Sequence, residues 1–220
     1  MARLKTAVLI SGRGSNLEAL LRACADKDFP AAIALVISNR ADAGGLDHAA
    51  RAGIASAVVP HRDYPSREAF EAALTKTLEA AGIEIVCLAG FMRLLTAGFV
   101  EHWRDRMINI HPSLLPAFPG LDTHARALAE GVRFAGCTVH FVRAEMDHGP
   151  IIVQAAVPVL PGDDEHSLAA RVLTAEHRAY PLALRLVGEG RVKVVGERTE
   201  ISGMSEAPAV LLNPPDDKRA

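Results

Sequence analysis

Cysteine is scarce in this chain: Cys24, Cys87 and Cys137 are the only three among 220 residues. Three is too few for a disulfide framework, and no Cys-x-x-Cys pair is present to hold zinc or run dithiol chemistry. Cys87 lies inside the apolar run 83–89, where a small core residue is expected. Basic charge is not in excess; the formal net charge is −2, which argues against a nucleic-acid-binding surface. Long hydrophobic runs are missing as well. The run 7–10 is too short for a signal peptide, and no window approaches the ~20 apolar residues of a membrane span. The nine histidines are scattered, with no pair at zinc-ligand spacing, so no metal site is expected. No internal repeat and no linker interrupts residues 1–200. Together these absences favour one domain over 1–203 in a reducing cytoplasm, with no membrane partner.

Half of the residues are hydrophobic and 23% are charged, enough for one substantial core. Short apolar runs at 4–10, 32–38, 55–60, 83–90 and 107–110 alternate with amphipathic stretches near 16–26, 45–52, 66–81 and 97–104. In 66–81, Phe70, Ala73, Leu74, Thr77, Leu78 and Ala81 recur at helical spacing, while Glu68, Glu71, Lys76 and Glu79 fill the other face. Such alternation with nearly continuous apolar strands predicts an α/β fold. Its core is a Rossmann-like, mostly parallel sheet with helices on both faces. After a helix at 123–130 the rhythm changes: 136–142 and 151–159 read as an antiparallel C-terminal extension. A long helix over 165–187, bent at Pro181, returns across the sheet, and 192–195 reads as a last edge strand. Residues 204–220, with Pro208, Pro214, Pro215 and mixed charges, read as a disordered tail.

Gly12-Arg13-Gly14-Ser15-Asn16-Leu17 follows the first strand and opens a helix. Leu17 replaces the third glycine of a dinucleotide fingerprint, and the next strand ends Ile37-Ser38-Asn39-Arg40 without the expected acid, so a nicotinamide cofactor is disfavoured. A monophosphate suits the amides of Gly14, Ser15 and Asn16 at a helix N-terminus. Ser15 or Asn16 could equally be an ordinary helix cap.

The segment Asn109-Ile110-His111-Pro112-Ser113-Leu114-Leu115-Pro116 ends a strand, and Asp147-His148-Gly149-Pro150 forms a later turn. In an extended strand Asn109 and His111 point to one face. A carboxamide, an imidazole and a carboxylate without a serine or cysteine nucleophile suit proton management and oxyanion stabilisation around an attacking group brought by the substrate. Taken singly, each of the three is a plain turn or loop residue. Past another strand end, Gly90-Phe91-Met92-Arg93-Leu94-Leu95 sets an arginine among large apolar residues; a hydrophobic plug with Arg93 snorkelling outward is the plain alternative.

The two motifs resemble the folate-dependent formyltransferases, whose signature is an Asn-x-His-Pro-Ser-Leu-Leu-Pro loop followed by an Asp-x-Gly-Pro turn. Ser11-Gly12-Arg13-Gly14-Ser15-Asn16-Leu17, Phe91-Met92-Arg93-Leu94-Leu95 and Glu176-His177-Arg178-Ala179-Tyr180-Pro181 are similar to the branch that formylates glycinamide ribonucleotide. The matches keep family order from about residue 4 to about residue 190. The resemblance implies transfer of the formyl group of 10-formyltetrahydrofolate to the amine of 5'-phosphoribosylglycinamide, in purine biosynthesis, by a monomer or homodimer. It assigns catalysis to Asn109, His111 and Asp147, and the nucleotide to Gly14, Ser15, Asn16 and Glu176. The folate falls to Asn109, to Met92, Arg93, Leu94 and Leu95, and to Arg143, Ala144, Glu145, Met146 and Asp147. Arg67 aligns near the folate's glutamate tail, although a solvated cation on a helix face explains it as well. Ser113 is expected to brace the loop. His140 lies beside the site, supporting Asp147 or serving as a satisfied core histidine. His148 stands where many relatives have glycine, and His61, His124 and His166 receive no role.

Three other functions share parts of this pattern. Methionyl-tRNA formyltransferase would need a further RNA-binding domain, and about 20 tail residues remain here. Formyltetrahydrofolate hydrolase normally has an extra N-terminal regulatory domain, whereas this chain begins with the first strand. A non-catalytic nucleotide-binding module would use the glycine turn alone.

Overall fold

The apolar runs of the first half form five parallel strands. They are β1 (Leu4–Ile10), β2 (Ala31–Ser38), β3 (Ser56–Val58), β4 (Ile85–Leu88) and β5 (Met107–His111). Between them run α1 (Ser15–Cys24), α2 (Gly45–Arg51), α3 (Arg67–Ala80) and α4 (Ala97–His102). After α5 (Thr123–Ala129), β6 (Phe134–Phe141) and β7 (Ile151–Pro158) add antiparallel to β5, completing a seven-stranded sheet of order β3-β2-β1-β4-β5-β6-β7. The predicted α/β sheet with an antiparallel extension is therefore observed. This computed structural model describes residues 2–203 and Asn213. The expected tail, 204–220, lies outside the described residues except for Asn213, whose amide donates to the carbonyl of Val159.

Alternation along each strand sends side chains to two separate clusters. Val8, Ile10 and Ile108 pack with Leu17, Leu20, Tyr180 and Leu184, under α1 and the long helix α6 (Glu165–Gly188). Ala7, Leu9 and Met107 pack with Phe70, Leu74, Phe99 and Trp103, under α3 and α4. Tyr180 ties α6 to the sheet by donating its hydroxyl to the Leu88 carbonyl at 2.9 Å. The helix starts at a capping box, Asp164 with Ser167, and continues through Pro181 to Gly188.

Two expectations fail. The strand β8 (Val192–Val195) is not an edge of the main sheet; it pairs with β9 (Arg198–Ile201) in a separate hairpin. Gly196 at φ 61° gives the two-residue turn its positive φ, so the strand meets its immediate successor first. Glu71 does not face solvent but is 4% exposed, its carboxylate accepting from the Thr96 amide (2.7 Å) and hydroxyl. Two donors at the start of α4 compensate its burial.

In the sheet, β1 lies between β2 and β4, so successive crossovers leave it in opposite directions. Such a switch point opens a crevice at the strands' carboxyl ends. Residues 11–16, 89–95 and 109–112 all emerge there.

Candidate active site

The crevice is an open cleft of about 720 Å³ that receives Asn109, His111 and Asp147 from two separate segments. Asn109 and His111 share a face of β5, opposite Ile108 and Ile110, as period-two alternation requires. His140 is the direct cross-strand neighbour of Asn109 on β6. Its Nδ1 donates to the Phe141 carbonyl at 2.9 Å, leaving Nε2 to accept from the Asn109 amide at 3.4 Å. Burial pushes the His140 pKa below its ordinary value, which favours this neutral tautomer. His140 therefore orients Asn109 and forms no hydrogen bond with Asp147.

His111 is 6% exposed, and both its nitrogens face oxygens. Nε2 lies 2.9 Å from the Phe118 carbonyl, and Nδ1 lies 3.4 Å from Asp147 Oδ1. The other Asp147 oxygen accepts from the Gly120 amide at 2.7 Å. Asp147 has φ 55°, a left-handed conformation that aspartate tolerates better than most residues. At Gly149 a Cβ would stand 2.0 Å from the Phe141 carbonyl oxygen, so only glycine lets the turn pass so close.

The loop after His111 is fastened from below. Ser113 donates to the Ala117 carbonyl at 2.6 Å, and Thr138 donates to the Ser113 carbonyl at 2.7 Å. Leu115 N–H donates to Thr138 Oγ1 at 3.0 Å, and Gln154 donates to the Leu115 carbonyl at 2.8 Å. Ser113 is thus a brace and is itself buried.

At the other end of the cleft Gly14, at φ 79°, turns the chain into α1 without a side-chain cap. A Cβ on Gly14 would stand 2.6 Å from Gly45 Cα, so the turn seats directly against the start of α2. The first amides of α1 have no carbonyl within the helix to pair with. Asn16 donates to Glu176 Oε2 of α6 at 2.7 Å, while its buried Oδ1 has no partner among the described residues. Burial raises the Glu176 pKa, and the Asn16 bond offsets part of that rise.

The rim is apolar. Met92, Leu94, Leu121 and Met146 are exposed around the opening, with Arg93, Ala144 and Glu145 beside them and Leu95 half-buried. Arg143 is among the cleft residues. Its guanidinium is committed elsewhere, to Asp105 and to Glu197 of the β8–β9 turn, both at 2.8 Å. Arg67 is exposed at the start of α3 and is not among the cleft residues.

His124 and Glu165, given no role from sequence, do line the cleft. Burial lowers the His124 pKa, and Glu165 partly offsets that effect. The only signal was position: α5 begins where the loop from His111 ends.

Residues 4–184 match the family described as formyl transferase. The trifunctional purine biosynthetic protein adenosine-3 of Drosophila pseudoobscura pseudoobscura is 54% identical over 89% of this chain, which spans only 14% of that protein's length. The phosphoribosylglycinamide formyltransferase of Escherichia coli (strain K12) is 47% identical over 85% of this chain and 88% of its own length. The crystal structure of glycinamide ribonucleotide transformylase 1 from Symbiobacterium toebii superposes with a TM-score of 0.88 at 52% identity, covering 90% of this chain and 94% of that one. By its sequence match, its sheet and its cleft, the chain belongs to the formyl transferase family.

Proposed function

We propose that this chain transfers the formyl group of 10-formyltetrahydrofolate to the amine of 5'-phosphoribosylglycinamide, yielding formylglycinamide ribonucleotide and tetrahydrofolate in purine biosynthesis. The observation that carries the reading is the convergence of Asn109, His111 and Asp147 in one cleft, with His111 and Asp147 3.4 Å apart. The substrate amine attacks the formyl carbon, and the carbonyl electron pair moves to oxygen. The carbon–N10 bond then breaks as N10 takes a proton and the former amine loses one. The substrate amine is the nucleophile, so the scheme needs no covalent enzyme intermediate.

Asn109 spends one N–H on His140 and offers the second to the oxyanion. Loss of such a donor in comparable sites costs roughly 10²–10³ in rate. His111 donates to the same oxygen by exchanging its bond to Phe118, at a net cost of about 0.5–1.5 kcal/mol. That is less than the roughly 2.7–4 kcal/mol that an oxyanion donor contributes. Asp147, fixed by the Gly120 amide, orients the ring and passes protons through a water.

The amides of Gly14, Ser15 and Asn16 cradle the nucleotide phosphate, and Glu176 offers its free oxygen to a ribose hydroxyl. The backbone of Met92, Arg93, Leu94 and Leu95 edges the pterin, while residues 143–147 cover it. Arg67 meets the glutamate tail outside the cleft. Small polar substrates suit a cytoplasmic enzyme acting as a monomer or homodimer.

A spectroscopic assay of tetrahydrofolate release, with and without the nucleotide, tests the reading. Release that requires 5'-phosphoribosylglycinamide is expected. Release without it means a hydrolase, and binding of the folate without turnover means a binding module.

A further inference from the structure

The segment 92–95 belongs to no helix or strand, and two of its side chains, Met92 and Leu94, are 66% and 60% exposed. The amides of Arg93, Leu94 and Leu95 have no partner among the described residues. No hydrogen-bond ladder holds this strap in place, and of its four side chains Leu95 alone packs against the core, yet its backbone must keep a defined edge if it is to read a flat ring.

Its two ends are held by buried polar side chains. At the first end the Met92 amide donates to Ser11 Oγ at 2.8 Å, and that hydroxyl donates to Asn39 Oδ1 at 2.7 Å. The Ser11 amide also donates to the Gly90 carbonyl at 3.1 Å, so the strap leaves β4 already fastened to the end of β1. Ser11 and Asn39 are 7% and 4% exposed. At the second end both Glu71 oxygens accept from Thr96, one from its amide at 2.7 Å and the other from its hydroxyl. The Thr96 hydroxyl in turn caps α4 by accepting from the Phe99 amide at 3.3 Å.

We propose that Ser11 and Glu71 are positioning residues for the formyl donor, fixing the two ends of the 92–95 strap while touching no substrate themselves. Neither side chain lines the cleft. The inference rests on the assignment of this strap to the folate. Ser11 also stands next to the glycine turn, so one hydroxyl marks the boundary between the two substrate pockets.

Calorimetry on the full chain, with tetrahydrofolate and 5'-phosphoribosylglycinamide titrated separately, tests the proposal through Ser11→Ala, Glu71→Leu and Glu71→Gln. Ser11→Ala and Glu71→Leu are each expected to weaken tetrahydrofolate binding about tenfold, the scale of one lost buried hydrogen bond, with nucleotide affinity changed less than about twofold. Glu71→Gln should stay within about threefold of wild type, because its oxygen accepts from the Thr96 amide and its nitrogen donates to the Thr96 hydroxyl. Equal weakening of both ligands would reduce the two residues to general supports of the fold. Unchanged folate affinity in Ser11→Ala overturns the proposal even if Glu71→Leu does not fold. Wild-type protein that binds no tetrahydrofolate sinks the folate assignment itself, and this inference with it.

Discussion

On the floor of the cleft Asn109, His111, His140 and Asp147 each find a hydrogen-bond or ionic partner within the chain. On the rim Met92, Leu94, Leu121 and Met146 hold apolar side chains in solvent. In the proposed reaction the floor presents dipoles to charge that appears only during turnover, and it saves reorganisation by being oriented beforehand. The rim gains only when something flat and apolar covers it, since clustered exposed apolar surface on a soluble domain commonly marks a binding site. Substitutions on the floor should therefore change rate, and substitutions on the rim should change affinity.

The largest effect is expected from Asp147→Asn. Asparagine keeps the shape, tolerates the left-handed φ of 55° and still accepts from the Gly120 amide, but it cannot act on protons. Turnover should fall about 10²–10⁴-fold at nearly unchanged Tm; near-wild-type kcat in the folded variant removes Asp147 from the mechanism. Next comes Ser15→Asp, which sets a fixed charge where the phosphate is assigned. Aspartate suits a helix N-terminus, so Tm should hold while the nucleotide KM rises at least about tenfold, roughly 1.4 kcal/mol of repulsion. A folate affinity that drops in parallel would show that the glycine turn does not serve the nucleotide alone. Smaller still, Met92→Ser combined with Leu94→Ser should raise the folate KM several-fold without lowering Tm. A fall in kcat instead would blur the division between rim and floor.

The smallest effect concerns Glu176. Its carboxyl is raised by burial, so above the ordinary glutamate value of about 4.3 the folded chain holds this proton more tightly than the unfolded chain does. Stability from this group accordingly falls as pH rises through that window. Glu176→Gln removes this dependence, and Tm at pH 7 should rise by about 1–3 °C while nucleotide affinity falls. Identical slopes of Tm against pH in the two proteins would contradict the assigned burial effect.

Much of the fold and of the floor was legible because periodicity and motif speak about backbone placement. The run ending at His111 had to be a strand, and a strand had to put Asn109 and His111 together. Side-chain partners across long sequence separations were not legible. Glu71 was assigned to solvent by its charge, although its spacing from Leu74 and Leu78 sets it on the buried stripe of α3. Arg143 does line the cleft, but Asp105 and Glu197 hold its guanidinium, and no local pattern announces such an ion pair. The β8–β9 hairpin was missed because Arg198–Ile201 has no apolar alternation of its own. His124 and Glu165 reach the cleft through the placement of α5 and α6, which one sequence cannot supply.

The bond between Asn16 and Glu176 joins side chains 160 positions apart. During synthesis the ribosome releases the glycine turn early, but Glu176, which the proposed nucleotide site needs, emerges only with α6. Until α6 emerges, the strands also lack the cover of Tyr180 and Leu184, which pack with Val8, Ile10 and Ile108. Because a ligand stabilises only the form that binds it, a nucleotide held as proposed would stabilise only chains in which α6 has docked. Fragments ending before α6 should show no rise in Tm with added nucleotide, however well their strands pair.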